Sequence, residues 1–335
     1  MTEAFGRVLV TGGAGYIGSH VVHALLERSA RVVVLDDLST GAREAVAEGA
    51  ILEVGNAGDR AFAVAVLRRH RCQAVLHFAG FIVNSESVRD PLAYYANNAG
   101  ATRTLLEACV EAGVGTFVYS SSAAVYGAPD RVPVDEDAPL APLAPYGRSK
   151  LAAEWMVRDT ARAHGLNVAV LRYFNVAGAD PAGRAGQVSR NATHLIKIAC
   201  QAALGLRGGV EIFGDGYDTP DGTCVRDYIH VSDLADAHLA ALEHLGAGGE
   251  SLTLNCGYGH GASVREVLAA VERASGRKLD VRVGPCRPGD APMLIADTRR
   301  IRKALKWRPR LDDLDAIVTS ALGWERRLVE AAARS

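Results

Sequence analysis

Three side chains of this sequence are suited to acid–base chemistry. Tyr146 and Lys150 are four residues apart in a helical pattern, so they share one helix face and their polar ends can meet. A nearby ammonium favours the phenolate form of tyrosine, and lowering the tyrosine pKa by about 3 units corresponds to roughly 4 kcal/mol. Ser122 follows an apolar strand pattern and can hydrogen-bond a hydroxyl that reacts beside Tyr146. We therefore predict Tyr146 as a general base supported by Lys150 and Ser122.

A second group of residues is typical of a dinucleotide site. The apolar run Val8–Thr11 leads into a turn in which Gly12, Gly15 and Gly18 have the spacing GxxGxxG. Such glycines permit the tight turn, let the backbone approach a pyrophosphate and bring the following helix close to the strand. Asp36 ends the next strand pattern, where a carboxylate accepts hydrogen bonds from ribose hydroxyls and repels a 2′-phosphate. The pattern predicts binding of NAD in preference to NADP.

Short apolar runs alternate with amphipathic stretches through the first half of the chain. The predicted strands are 7–11, 31–35, 51–54, 74–78, 116–120 and 168–173, and the helical patterns between them cover about 15–28, 59–70, 92–112 and 146–164. Strands that are apolar throughout and separated by helices indicate an α/β fold with a doubly wound parallel sheet. The carboxyl ends of these strands must then position the reactive residues.

The second half predicts a smaller α/β lobe. Residues 176–190 and 207–226 are rich in glycine and polar residues, so we expect long loops there. Further helical patterns lie at about 193–204, 232–246, 263–274 and 311–329, with a strand pattern at 251–256. We place a Rossmann nucleotide-binding domain at 1–175, rejoined by part of 227–258, and a substrate-binding lobe at 176–335.

Composition excludes several classes of protein. The chain has 335 residues, 49% apolar and 22% charged, which excludes a disordered or fibrous protein. Its net charge of -1 gives no general attraction for nucleic acid or anionic lipid. Six scattered cysteines form no metal-ligand spacing and no CxxC pair, so we predict no metal site. No apolar stretch approaches about 18 residues, and we expect a cytoplasmic protein without a membrane span.

Several motifs together resemble a known family. Thr11–Gly18, Ser122 and the Tyr146-x-x-x-Lys150 pair are similar to those of the extended short-chain dehydrogenases/reductases. The resemblance narrows to the UDP-glucose 4-epimerase family through the segments Arg172–Asn175, Asp221–Thr223, Val225–Val231 and Arg287–Asp290. The series covers nearly the whole chain, and residues 221–231 are its most specific part.

The resemblance implies a reaction and a set of site residues. Tyr146 would remove the proton of the sugar 4-hydroxyl while the C4 hydride passes to tightly bound NAD; the 4-keto sugar would rotate and take the hydride back on its other face. Lys150 would hold the cofactor ribose, and Ser122 would relay the proton. The implied cofactor contacts, beyond the glycines and Asp36, are Tyr16, Ile17, Asn56, Phe78, Ala79, Asn97, Ser122, Tyr146, Lys150 and Phe174. The implied contacts to the UDP-sugar are Ser122, Tyr146, Asn175, His194, Leu195, Phe213, Arg226, Arg287, Asp290 and Leu294.

The sequence departs from the family pattern at five positions. Asn56 replaces an aspartate that faces the adenine, and Ile82 replaces a lysine that touches the cofactor. His194 stands for asparagine, as a ligand contact or a helix-start residue, and Lys197 stands for proline. Leu294 is intermediate between the large tyrosine of members restricted to plain hexoses and the small residue of members that accept N-acetylated sugars.

Three alternatives to UDP-glucose epimerisation remain. One is 4-epimerisation of UDP-pentoses or UDP-N-acetylhexosamines, and a second is a nucleotide-sensing protein that binds NAD without turnover. The third, 4,6-dehydration, is disfavoured because Ala123 and Ala124 stand where dehydratases carry an Asp-Glu pair. The resemblance also implies a homodimer through helices 92–112 and 146–164, whose Leu105, Leu106, Leu151 and Met156 would pack in the core or at the interface.

Overall fold

A seven-stranded parallel sheet forms the centre of the protein. The computed structural model describes residues 6–189, 193–287 and 290–334. The sheet strands, in chain order, are β1 (Arg7–Thr11), β2 (Arg31–Asp36), β3 (Ile51–Val54), β4 (Cys72–His77), β5 (Thr116–Ser120), β6 (Asn167–Tyr173) and β11 (Leu252–Cys256). Their order across the sheet is β11-β6-β5-β4-β1-β2-β3, so the chain reverses direction across the sheet between β1 and β4.

Smaller strands and the helices complete the fold. The remaining strands are β7 (Asn175–Ala177), β8 (Val210–Phe213), β9 (Val225–Arg226), β10 (Tyr228–His230), β12 (Ala262–Ser263), β13 (Val281–Gly284) and β14 (Met293–Leu294). The helices are α1 (Tyr16–Glu27), α2 (Arg60–His70), α3 (Asn84–Arg89), α4 (Pro91–Tyr94), α5 (Ala101–Ala112), α6 (Pro145–His164), α7 (Leu195–Ala203), α8 (Val231–Gly246), α9 (Val264–Ser275), α10 (Arg299–Leu305) and α11 (Leu314–Arg334). Short 3-10 turns lie at Arg43–Ala45 and Ala123–Val125.

The central strands bury both of their faces. In β1, Val8 and Val10 belong to the core that contains α1 and α8, whereas Leu9 belongs to the core that contains α2, α5 and α6. β2 divides its side chains between the same two cores. Successive strand side chains point to opposite faces, so a run that is apolar at every position requires helices on both sides. The predicted doubly wound α/β fold is confirmed.

Three predicted segments differ from the structure. The predicted loops 176–190 and 207–226 contain all of β8 and β9 and part of β7, because even very short segments there find strand partners in the second half of the chain. The single helix predicted at 92–112 is divided by a π-helical turn, Tyr95–Gly100, between α4 and α5. The extra residue in a π turn changes the direction of the side chains that follow, which matters for Asn98 below.

The strand ends collect the reactive residues at one edge of the sheet. Ser120 ends β5 and Phe174 follows β6, which pair in parallel, while Thr11 at the end of β1 pairs with His77 at the end of β4. Parallel strands place their carboxyl ends on the same side, so the turn after β1 and the serine run after β5 share one crevice.

Within the three described ranges, none of the helices combines the length and the apolar character that a membrane span requires.

Candidate active site

The glycine turn after β1 has no room for a side chain at Gly12 or Gly18. Gly12 has φ +71°, and a Cβ there would lie 2.6 Å from the Ala79 nitrogen. A Cβ on Gly18 would lie 2.2 Å from the Gly12 oxygen, so α1 packs directly on the turn. At Gly15 a Cβ would meet only the Gly12 oxygen, at 3.2 Å, which leaves this side of the turn open. Helix α1 begins at Tyr16 with no side-chain cap among the described residues, so its first N–H groups can bind an anion.

Asp36 is fixed beside this turn by two backbone hydrogen bonds. Its Oδ2 accepts from the Ala14 N–H at 2.9 Å, and its Oδ1 accepts from the Leu38 N–H at 2.9 Å. Burial raises the pKa of Asp36, and the two N–H donors oppose that effect. Asn56 lies close by: its Nδ2 donates to Asp37 Oδ2 at 3.4 Å and its Oδ1 accepts from the Gly58 N–H at 2.7 Å. The predicted ribose and adenine contacts therefore lie at adjacent strand ends.

Tyr146, Ser122 and Lys150 meet where α6 crosses the end of β5. Tyr146 lies in the first turn of α6, and the Ser122 side chain is close enough to its hydroxyl to lower the Tyr146 pKa. One helical turn later, Lys150 Nζ donates to the Ser120 carbonyl at 2.9 Å. All three side chains are buried, so charge on any of them interacts strongly with its neighbours. The structure thus brings together the three residues predicted to be catalytic.

Burial sets the pKa directions in this centre. It raises the pKa of Tyr146, and the hydrogen bond with Ser122 opposes it. It lowers the pKa of Lys150 to about 8, with the charge of Glu154 acting in the opposite direction. The ionised Tyr146 expected from the sequence therefore needs more positive charge at the site than Lys150 provides.

The remaining predicted cofactor contacts lie in the segments that follow β1, β4 and β6 and in the π turn. The Tyr16 hydroxyl donates to the Gly178 carbonyl at 2.6 Å, and the Phe78 ring packs on His238 with 4.7 Å between centroids. Ile17 is in the first turn of α1, Ala79 contacts Gly12, Asn97 lies in the π turn, and Phe174 is buried after β6.

Asn98 is a site residue that the sequence analysis missed. Its Oδ1 accepts from the Phe81 N–H at 2.8 Å, and its Nδ2 donates to the Phe81 carbonyl and to Ser149 Oγ, each at 3.0 Å. These bonds tie the loop after β4 to α6, between Tyr146 and Lys150. A pair of asparagines, which are weak helix formers, inside a helical pattern was the available signal.

The predicted substrate contacts form two groups. Asn175, His194 and Leu195 line one pocket together with Tyr16 and Lys197. In that pocket His194 is the N-cap residue of α7 and its Nδ1 is 2.8 Å from Gln187 Nε2. Lys197 pairs with buried Glu325, so its ammonium is held within the protein.

The second group surrounds the strand pair β9 and β14. The Arg287 guanidinium lies over the Phe213 ring at 3.4 Å, and Asp290 N–H donates to the Arg287 carbonyl at 3.2 Å. Leu294 is opposite Arg226 in the strand pair. Leu294 also packs against the cluster of Ala123, Tyr126, Leu151 and Phe174, which adjoins Ser122. Pro288 and Gly289 of the Arg287–Asp290 motif lie outside the described residues.

Comparison with known proteins agrees with this geometry. Residues 8–257 match the model of the NAD dependent epimerase/dehydratase family. The chain belongs to this family. A UDP-glucose 4-epimerase of Azospirillum brasilense is 58% identical over 330 residues, covering 98% of this chain and 95% of the relative. The family resemblance predicted from the motifs is confirmed.

Solved structures of other family members superpose closely. A UDP-glucose 4-epimerase from Brucella ovis in complex with NAD has a TM-score of 0.92 at 44% identity, covering 95% of this chain and 98% of that one. A UDP-glucose-4-epimerase from Stenotrophomonas maltophila with bound NAD and formylated UDP-arabinopyranose has a TM-score of 0.94 at 38% identity, covering 97% of this chain and 99% of that one.

Among the described residues of this epimerase-family chain, no cluster of three His, Cys, Asp or Glu side chains is arranged to hold a metal ion.

Proposed function

We propose that this chain interconverts UDP-glucose and UDP-galactose at C4 of the sugar, with NAD as a tightly bound cofactor. The observation that carries the proposal is the placement of Ser122, Tyr146 and Lys150 at the strand ends that adjoin the glycine turn. A relative that shares more than half of its residues with the chain, over nearly its whole length, is named for this reaction.

The described residues fit NAD. The open side of Gly15 allows a pyrophosphate to reach the backbone, and the uncapped start of α1 presents N–H groups there. Asp36 keeps two hydrogen-bonded oxygens oriented at the end of β2, where a carboxylate selects a ribose over a 2′-phosphate. The turn is therefore shaped for a dinucleotide whose adenosine ribose carries no 2′-phosphate.

The residues at the centre have complementary roles in the proposal. NAD, when bound, supplies reversible oxidation of the sugar at C4. Tyr146 takes the proton of the 4-hydroxyl and returns it, because its hydroxyl is the acid–base group that meets Ser122 at the crevice. Lys150 adds positive charge beside the cofactor ribose, and Ser122 orients the reacting hydroxyl through its bond to Tyr146.

Arg226 and Arg287 are the proposed ligands of the diphosphate. Arg226 lies on β9 and Arg287 lies over Phe213 at the end of β8, and a guanidinium can hold two phosphate oxygens in a fork that lysine does not reproduce. Arg287 already rests on Phe213, so the ring fixes one face of the guanidinium while its edge stays available. Asn175, His194 and Leu195 border the other side of the UDP-sugar.

Turnover by purified protein without added NAD tests the proposal. We expect conversion of UDP-galactose to UDP-glucose in a coupled assay, and its loss in Tyr146→Phe. The matched control is Tyr119→Phe, which removes the hydroxyl of a buried tyrosine on β5 whose ring lies 5.1 Å from Lys150 Nζ. If UDP-N-acetylgalactosamine or UDP-arabinose turns over faster, the substrate assignment changes and the mechanism stands. Absence of turnover of all three, with NAD supplied, would leave a protein that only binds the nucleotide.

We also propose a homodimer through α3, α4 and α6. Leu105, Leu106 and Leu151 are buried within the chain's own core, and Met156 is partly buried against it. Three apolar side chains on these helices stay exposed instead: Val88 at 64%, Leu92 at 77% and Trp155 at 56%. Apolar exposure of this kind favours a protein contact. Sedimentation should show a dimer that dissociates in Leu92→Asp/Trp155→Asp.

Two further expectations remain predictions. The domain boundary at residue 175 would be tested by limited proteolysis, because an independent lobe would be released as a stable fragment. The cytoplasmic location would be tested by fractionation of the host cell.

A further inference from the structure

A buried carboxylate connects the catalytic helix to the catalytic strand. Glu154 lies one helical turn after Lys150 on α6 and is fully buried. Its Oε1 accepts from Ser121 Oγ at 2.6 Å and from Arg172 Nε at 2.9 Å. Its Oε2 accepts from Arg172 Nη2 at 2.7 Å and from Arg158 Nη2 at 2.8 Å. Four charge-assisted or hydroxyl hydrogen bonds thus hold one side chain in a single orientation.

The bond to Ser121 acts on the residues on either side of it. The Ser120 carbonyl accepts the hydrogen bond from Lys150, and the Ser122 hydroxyl meets Tyr146. Ser121 N–H also donates to the Leu171 carbonyl, so the strand end is held to β6 from its other side. If Ser121 moves, the acceptor for Lys150 and the partner of Tyr146 move with it.

Glu154 also supplies charge to the centre. It is the one acidic group among the described residues whose charge acts on Lys150. The other titratable groups that face Lys150 are Tyr146 from the same helix, His77 from β4, whose own pKa Lys150 helps to lower, and the Tyr119 ring from β5. His77 and Tyr119 provide no negative charge, and Tyr146 provides one only when it loses its proton.

We infer that Glu154 is a positioning residue for the Ser122–Tyr146–Lys150 centre: it fixes the end of β5 against α6 and places a negative charge beside the Lys150 ammonium. The inference deepens the proposed function and rests on it. Glu154 touches neither substrate nor cofactor in this account. It acts through Ser121 and Lys150, so it belongs to the support of the reaction and not to its proton transfers.

Glu154→Gln in the NAD-loaded enzyme tests the inference. The amide keeps the size of the side chain and removes its charge. We expect kcat to fall by about tenfold or more with KM within a factor of about two, since the effect is on the reacting geometry. We also expect the alkaline limb of the kcat–pH profile to move by about one unit to lower pH, because Lys150 then loses its proton more easily.

The matched control is Asp233→Asn. Asp233 is also a buried carboxylate, and its side-chain hydrogen bonds go to the Tyr258 hydroxyl and to the Arg310 and Leu311 N–H groups, away from α6 and β5. This variant should keep the wild-type kcat and pH profile. An equal shift of the alkaline limb in both variants would overturn the inference, as would a folded Glu154→Gln with wild-type kcat and profile.

Two further measurements keep the test decisive. If Glu154→Gln does not fold, Ser121→Ala removes only the bond to the strand end: a lower kcat at unchanged KM supports the inference, and an unchanged kcat overturns it. If the wild type shows no turnover, the proposed function fails separately. The near-ultraviolet titration of Tyr146, obtained by difference from Tyr146→Phe, then decides: a higher midpoint in Glu154→Gln supports positioning, and an identical midpoint refutes it.

Discussion

Replacing Lys150 with methionine should make the protein more stable at neutral pH while abolishing its turnover. Lys150 is buried, and burial lowers the pKa of its ammonium from 10.5 to about 8. At about 1.4 kcal/mol for each pH unit, holding the charged form in the folded protein costs about 3 kcal/mol below pH 8. Methionine is unbranched and fills similar space without that cost.

Some stabilising contacts are lost with the ammonium. Its hydrogen bond to the Ser120 carbonyl and its contact with the Tyr119 ring contribute about 1–2 kcal/mol together. The net gain for Lys150→Met at pH 7 is therefore about 1–2 kcal/mol in the free energy of unfolding.

The pH dependence gives the sharper test. Because the folded pKa lies below the unfolded one, the unfolded chain binds more protons between pH 8 and 10.5, so wild-type stability rises with pH through that window. The advantage of Lys150→Met should shrink by about 3 kcal/mol between pH 7 and pH 10.5 and change sign. Taking the difference between the two proteins removes contributions from groups that they share.

Urea unfolding of nucleotide-free protein at several pH values measures this. Lys197→Met is the control, since this second buried lysine is paired with Glu325, and losing it should destabilise by about 3–5 kcal/mol. A Lys150→Met advantage that does not vary between pH 7 and pH 10.5 would refute the argument. So would a variant less stable than wild type at pH 7.

Three other substitutions have defined outcomes. Gly18→Ala should yield protein with little bound NAD, seen in its absorbance spectrum, because the new Cβ would lie 2.2 Å from the Gly12 oxygen; wild-type nucleotide content would contradict this. Arg172→Met should lower the free energy of unfolding by about 3–5 kcal/mol in urea titrations, since buried Glu154 loses its two-point partner; a loss under about 1 kcal/mol would show that Arg158 suffices. Leu294→Ala should raise kcat/KM for UDP-N-acetylgalactosamine relative to UDP-galactose by about tenfold, because the leucine side chain reduces the space beside Phe174. An unchanged ratio would show that Leu294 does not limit the size of the sugar.

The sequence by itself predicted the parallel sheet, the glycine turn after its first strand and the meeting of Ser122, Tyr146 and Lys150. These are local signals: short runs that are apolar at every position, glycines at the GxxGxxG spacing, and a four-residue spacing on one helix. The strand ends 54 and 120 were predicted at the residues where β3 and β5 end, and helix boundaries agreed to within one residue for α1 and α2.

Only the tertiary structure decided what surrounds that trio. Glu154 lies on α6 and Arg172 lies on β6, with the end of the helix and a turn between them in sequence. Their pairing therefore depends on how α6 packs across β6. The π turn places Asn98 within hydrogen-bond distance of Phe81. Over so few residues, the sequence pattern of hydrophobic residues in a π turn is the same as in an ordinary α-helix. Burial, which sets the pKa directions of Tyr146 and Lys150, is a property of packing between distant segments. The spacing of residues along the chain determines which side chains meet on one helix or strand. The local dielectric constant and the neighbouring charges, which set the pKa values of those side chains, are established only when the helices and strands pack together.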